Sequence, residues 1–246
     1  MPRILPVDDI VSWPQEEGAI GVVGVAPWAT IDFLKALYEQ VKAEKDWQYP
    51  RVLCDINTKL PSRGRHLELG ERDPSPFIAE TIDELASQGA TVVVVPCNTA
   101  HILYSSWAAD ASVEVLNIVR VSVAALGDVS GQVAVLASRS VYQNRLYEKV
   151  IVEAGLHCAS LENDEIEFIS RIIGAVKRFG RIPSCFYGDI NKFFENLKSR
   201  NACALILGCT ELTELAAFAR KYFSCVVDSN SALAREALTK VGVIKL

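Results

Sequence analysis

Short apolar runs alternate along this chain with longer stretches whose apolar positions recur every three or four residues. The first run, Ala19 to Val25, predicts a buried strand. Thr30 to Glu44 predicts a helix, because Phe33, Leu34, Leu37, Tyr38 and Val41 fall at helical spacing. Arg51 to Ile56 predicts a second strand, followed by a polar loop with Pro61, Arg63 and Arg65 and a helix over Pro76 to Gln88. Ala90 to Val95, dominated by β-branched valine, predicts a third strand. The pattern then restarts with strands at Val113 to Ile118 and Gln132 to Ala137, and with helices at Val141 to Glu153, Asp164 to Lys177 and Ile190 to Lys198. A strand at Ala202 to Leu207, a short one at Cys225 to Val227 and a helix at Ser229 to Lys240 complete the series.

Strands alternating with helices of this length predict βαβ units and parallel sheets covered on both faces. The expected fold class is therefore α/β, with two pseudo-symmetric Rossmann-like lobes, each a mainly parallel sheet flanked by helices, and the active site between them. Residues 1–18, punctuated by Pro2, Pro6 and Pro14, are expected to form an N-terminal arm. Lobe 1 is expected over 19–121, with the C-terminal helix 228–246 packing back on it, and lobe 2 over 122–227.

Two segments look like copies of one device. Val93-Val94-Val95-Pro96-Cys97-Asn98-Thr99-Ala100-His101 and Leu205-Ile206-Leu207-Gly208-Cys209-Thr210-Glu211-Leu212 each place a cysteine where a buried strand ends. In open α/β sheets the binding crevice lies beyond the carboxyl ends of the strands, and both cysteines fall there. A thiol at the start of a helix sees unpaired backbone N–H groups and the positive end of the helix dipole, so its pKa is expected to fall from about 8.5 toward neutrality. The same N–H groups, with the side chains of Asn98, Thr99 and Thr210, suit a carboxylate. Two thiols facing one α-carbon can exchange its proton, one as base and the other as acid, and invert its configuration.

The Pro-Cys-Asn-Thr-Ala-His of 96 to 101, together with the Gly-Cys-Thr-Glu of 208 to 211, resembles the aspartate/glutamate racemase superfamily, most closely its aspartate racemase branch. Val25-Ala26-Pro27-Trp28-Ala29-Thr30 is similar to the Met-Gly-Pro-x-Ala-Thr of that family, and Leu60-Pro61-Ser62-Arg63 to its Ile-Pro-Asp-Arg loop. Ile172 to Lys177 resembles its late helix ending in lysine. The resemblance implies catalysis by Cys97 and Cys209 and binding of the side-chain carboxylate by Arg63 and Lys177, beside the carboxylate site already expected at Asn98, Thr99 and Thr210. His101, Glu211 and Thr30 would stand behind them, Glu211 at the second helix start. The implied activity is a cofactor-independent isomerase that interconverts L- and D-aspartate, or glutamate. Ala26, Ser62 and the Ser140-Val141 pair depart from the family pattern, and Ala26-Pro27 with Glu211 disfavours the peptidoglycan-type glutamate enzyme. The alternatives are a dicarboxylate isomerase or decarboxylase of the same superfamily, and a catalytically silent protein that binds acidic amino acids.

Composition narrows the partners. Among 246 residues the net charge is -5, with no Lys/Arg cluster, which argues against nucleic acid or an anionic membrane and leaves a small acidic amino acid as the expected partner, with a homodimer as an option. Asp8, Asp9, Glu16 and Glu17 break any signal-peptide core, and no apolar run reaches the roughly 18 residues of a bilayer span, so a cytoplasmic location is expected. The seven cysteines contain no CxxC pair and the three histidines have no ligand spacing to them, so free thiols and no metal site are expected. No glycine-rich phosphate loop is present, and no cofactor is expected.

Overall fold

The computed structural model describes residues 17–243, and its eight strands form two four-stranded sheets. β1 (Ile20–Gly24), β2 (Val52–Ile56), β3 (Val92–Val94) and β4 (Glu114–Val115) lie in the order β2-β1-β3-β4. β5 (Gln132–Leu136), β6 (His157–Cys158), β7 (Ala202–Leu207) and β8 (Cys225–Asp228) lie in the order β6-β5-β7-β8. Every pairing is parallel. The second sheet repeats the strand order of the first, so β7 is the counterpart of β3. The expected α/β fold with two parallel sheets is the one observed. Residues 1–16 of the expected arm and 244–246 of the expected last helix lie outside the described residues.

Strand alternation builds the core in layers. Ile20 and Val22 of β1, Val92 and Val94 of β3, Val133 and Val135 of β5 and Ala204 and Ile206 of β7 all join one central cluster. Their alternate neighbours point the other way: Val23 and Val93 join an outer cluster with Ile78 and Ile82, while Ala134, Leu136, Leu205 and Leu207 join another with Ile169, Ile172 and Phe194. Side chains of a strand point to opposite faces by turns, which is why nearly continuous apolar runs are needed here. The central layer is completed by Phe33 and Leu37 of helix Pro27–Tyr38 and by Leu233 and Leu238 of helix Ser229–Lys240. That last helix packs on Pro27–Tyr38 and on helix Ile118–Ala124.

Several elements differ from their sequence expectation. The first helix begins at Pro27, whose fixed φ suits the first turn, and ends at Tyr38 rather than Glu44. The expected polar loop around Arg63 is instead a helix, Arg63–Leu69, opened by the Ser62 side chain accepting from Arg65 N and closed by Gly70 at φ 67°. The expected helix Val141–Glu153 is two helices, Arg139–Gln143 and Leu146–Glu153, because Arg145 takes a left-handed φ of 50° between them. Helix Asn163–Phe179 runs past Lys177 and stops at Gly180, also left-handed.

Candidate active site

The chain leaves β3 and β7 on the same side of the molecule and enters one cleft of about 270 Å³. Cys97 and Cys209 both line it, as do Asn98, Thr99, Thr210, Glu211, Arg63 and Lys177. Cys97 is half-buried and Cys209 is buried. Gly208 allows the second loop to reach the cleft. A Cβ there would lie 2.9 Å from both the Tyr147 ring and the Val135 side chain, closer than real Cβ atoms approach.

Each cysteine opens onto a 3-10 turn, Thr99–Leu103 or Thr210–Leu215, rather than an α-helix. The helix-dipole expectation therefore lacks its long helix, and for Cys209 the expected fall in pKa is reversed. Burial pushes this thiol well up, and the neighbouring Glu211 carboxylate pushes it further, with Lys177 opposing both. Cys209 Sγ donates to Glu211 Oε2 at 3.1 Å, and Thr210 Oγ1 reaches the same oxygen at 3.4 Å. The other carboxylate oxygen, Oε1, lies 3.7 Å from Lys177 Nζ, and this carboxylate holds the Lys177 ammonium pKa up. Glu211 thus does more than sit at the start of a turn: it joins a thiol, a hydroxyl and an ammonium.

Asn98 is fixed by two residues far from it in sequence. Its Nδ2 donates to Ser229 Oγ at 3.0 Å and its Oδ1 accepts from Tyr147 Oη at 2.6 Å. One amide hydrogen of Asn98 remains for a ligand. Thr99 Oγ1 shares a 2.9 Å hydrogen bond with Ser138 Oγ, across the two sheets. Arg63 donates from Nη2 to Val25 O at 3.0 Å and from Nη1 to Pro61 O at 3.2 Å, while its buried Nε has no partner among the described residues. A buried donor left in that state costs about 1–3 kcal/mol, which an incoming carboxylate would relieve.

Two of the sequence candidates do not line the cleft. Thr30 is fully buried in helix Pro27–Tyr38 and donates to Ala26 O at 2.7 Å, which fixes the turn after β1. His101 points away from the Cys97 thiol; its Nδ1 lies 2.9 Å from Cys97 O and its Nε2 3.4 Å from Leu116 O. The ring packs among Tyr104 and Trp107. Burial drives its pKa down to about 4, so it is a neutral imidazole that holds the Cys97 backbone.

Sequence reasoning missed Ser138 and Glu68 in the cleft and the two struts on Asn98, Tyr147 and Ser229. Glu68 Oε1 accepts from Ser140 Oγ at 2.8 Å, tying helix Arg63–Leu69 to helix Arg139–Gln143, which follows β5. Of the family departures, Ala26, Ser62 and Ser140 line the cleft, whereas Val141 packs in the central core. Ser138 carried one available signal: it follows β5, the counterpart of β1, where Ala26 stands. Tyr147 and Ser229 carried none, because only the fold brings them to Asn98. Among the described residues no group of three or more His, Cys, Asp or Glu side chains is placed to hold a metal ion, and no helix is long and apolar enough to cross a membrane.

A model of the Asp/Glu/Hydantoin racemase family matches residues 20–237. The chain belongs to that family. Membership places it among racemases, which are isomerases. The broad specificity amino-acid racemase RacX of Bacillus subtilis (strain 168) is 22% identical over 228 residues, covering 89% of this chain and 96% of that protein. The Picrophilus torridus aspartate racemase superposes with a TM-score of 0.81 at 21% identity, covering 92% of this chain and 94% of that one. An aspartate racemase homologue from Pyrococcus horikoshii OT3 gives a TM-score of 0.73 at 22% identity, over 91% and 98% of the two chains. Glutamate racemase isoform RacE1 from Bacillus anthracis gives 0.66 at 18%, over 92% and 83%.

Proposed function

We propose that this member of the racemase family interconverts the enantiomers of an acidic amino acid, aspartate first and glutamate second, through Cys97 and Cys209 and without a cofactor. The observation that carries the reading is that two equivalent strands, β3 and β7, deliver two thiols to one cleft. In this reading the cleft lies between lobes 19–121 and 122–227, with 228–243 packed on the first.

Cys209, kept protonated by burial and by Glu211, enters as the acid; the more open Cys97 enters as the base. Cys97 thiolate takes the α-proton from one face while Cys209 gives its proton to the other, and the reverse reaction exchanges the roles. Backbone N–H groups of the 3-10 turns, the free amide hydrogen of Asn98 and the hydroxyls of Thr99 and Thr210 hold the α-carboxylate, where charge grows in the transition state. Arg63 Nε and Lys177 Nζ are the cations for the side-chain carboxylate. The aspartate racemase activity of the Picrophilus torridus relative supports aspartate, and the breadth of the Bacillus subtilis relative supports testing others beside it.

Incubation with L-aspartate and L-glutamate in deuterated water, followed by α-proton loss and chirality, tests the reading. Deuterium incorporation with inversion is the expected result. Binding with neither exchange nor turnover would replace the racemase with a silent clamp; release of CO2 or double-bond migration from other dicarboxylates would replace it with a decarboxylase or isomerase.

A further inference from the structure

Behind the cleft lies a second, larger cavity of about 520 Å³, and Glu211 lines both. The second cavity carries Asp32 and Lys35 from helix Pro27–Tyr38, Thr213 and Glu214 from the turn after Cys209, Asp228 from the end of β8, and Arg220. Neither thiol lines it. Asp228 is held in place: its Oδ1 accepts from Thr213 Oγ1 at 3.1 Å and its Oδ2 from Ser231. Asp32 is crowded by carboxylates. Burial first, then Asp228, Glu214 and Glu211, push its pKa up to about 6, with Lys35 opposing, so it changes protonation near neutrality.

After each turnover the thiol pair is left in the opposite protonation state, and one thiol must regain a proton while the other loses one. A buried Cys209 that exchanged only through the cleft would have to wait for substrate to leave. We propose that Glu211 is a proton relay that exchanges the Cys209 proton with solvent through the rear cavity, separately from the substrate cleft. The inference rests on the two-thiol reading and adds how the acid is reset. In the reset, the Glu211 carboxylate first takes a proton from the water of the rear cavity, or from Asp32 when that side chain is protonated, and forms an O–H; the donor regains its proton from bulk solvent. The Glu211 O–H then breaks as a Cys209 S–H forms, which turns thiolate to thiol and returns Glu211 to the carboxylate. In the opposite direction Cys209 S–H breaks, Glu211 O–H forms, and the proton leaves to the same water. Lys177, beside Glu211 Oε1, keeps the carboxylate oriented with Oε2 toward Cys209.

The relay is separable from mere support of Cys209 by the fate of isotope. L- and D-aspartate carrying α-deuterium are each converted in ordinary water, and the return, the fraction of abstracted deuterium that reappears at an α-carbon in a following reverse turnover rather than being lost to solvent, is measured by mass spectrometry against substrate concentration; the enantiomer whose α-deuteron Cys209 removes reports the relay. In the unmodified protein the return is small and the rate saturates hyperbolically. Glu211→Gln keeps the shape and removes the exchangeable proton; the expected result is a several-fold rise in return, with kcat lowered on the order of 10²-fold. Asp32→Asn, outside the cleft, is expected to raise the return near neutral pH with KM unchanged. Glu211→Asp is expected to restore part of the exchange. Racemisation with unchanged return in both Glu211→Gln and Asp32→Asn would overturn the relay alone. Absence of racemisation in the unmodified protein would overturn the racemase reading and the relay with it.

Discussion

Cys209 Sγ lies 3.1 Å from Glu211 Oε2, and this contact adds to burial in disfavouring the Cys209 thiolate. A carboxylate beside a buried thiol disfavours the thiolate twice, through charge and through a hydrogen bond to the neutral form. Glu211 is in turn balanced by Lys177 at 3.7 Å.

Lys177 opposes the rise of the Cys209 pKa, and in the proposed mechanism it also receives the side-chain carboxylate. Replacing it by methionine is expected to lower kcat/KM for aspartate by about 10- to 100-fold, the worth of a charged hydrogen bond. The basic limb of the pH–rate profile is expected to move upward, because Cys209 loses the cation that favours its thiolate. Steady-state kinetics across pH checks both, and an unmoved profile would remove Lys177 from the electrostatics of the thiol.

His101 links the site to stability. Its folded pKa of about 4 lies below the value of about 6.5 expected in the unfolded chain, so between these values the unfolded state binds a proton that the native state does not. Stability is thus expected to fall as pH drops from about 6.5 to 4 and to level below that, a contribution of roughly 3 kcal/mol. Urea unfolding of the protein and of His101→Gln at several pH values measures it. The variant is expected to lack this slope.

Tyr147→Phe removes the hydroxyl that Asn98 Oδ1 accepts from and leaves a buried acceptor unpaired. A loss of about 1–3 kcal/mol in unfolding free energy is expected, together with a higher KM, since the Asn98 amide is then held by Ser229 alone. Equal KM values would mean that the Tyr147 strut plays no part in presenting the Asn98 amide to substrate.

Gly208→Ala forces a methyl against the Tyr147 ring and Val135 at 2.9 Å. The expected cost is about 1–3 kcal/mol, with activity falling further because the displaced residue adjoins Cys209. Thermal unfolding and a racemisation assay separate the two effects.

The central strands were legible because both of their faces are buried, which leaves apolar runs such as Val92–Val95 and Ala204–Leu207 in the sequence. The same runs marked where Cys97 and Cys209 leave their strands. Helix Arg63–Leu69 was read as a loop because it buries none of its residues and so carries no apolar period. The break at Arg145 was invisible because apolar spacing continues through Tyr142, Leu146 and Val150 while the backbone turns left-handed at Arg145. Cys209 was read as an acidified thiol from its place at an expected helix start, but its pKa is governed by burial and by a carboxylate two residues away. Burial and side-chain direction are set by the assembled fold, and neither is written in spacing.

The requirement for two thiols is tested most directly by replacing Cys97 and Cys209 singly with alanine and following the optical rotation of L- and D-aspartate, with circular dichroism to confirm the fold. Each variant is expected to be folded and to racemise neither enantiomer, because inversion needs a base on one face and an acid on the other. Full racemisation by either variant would contradict the two-thiol mechanism.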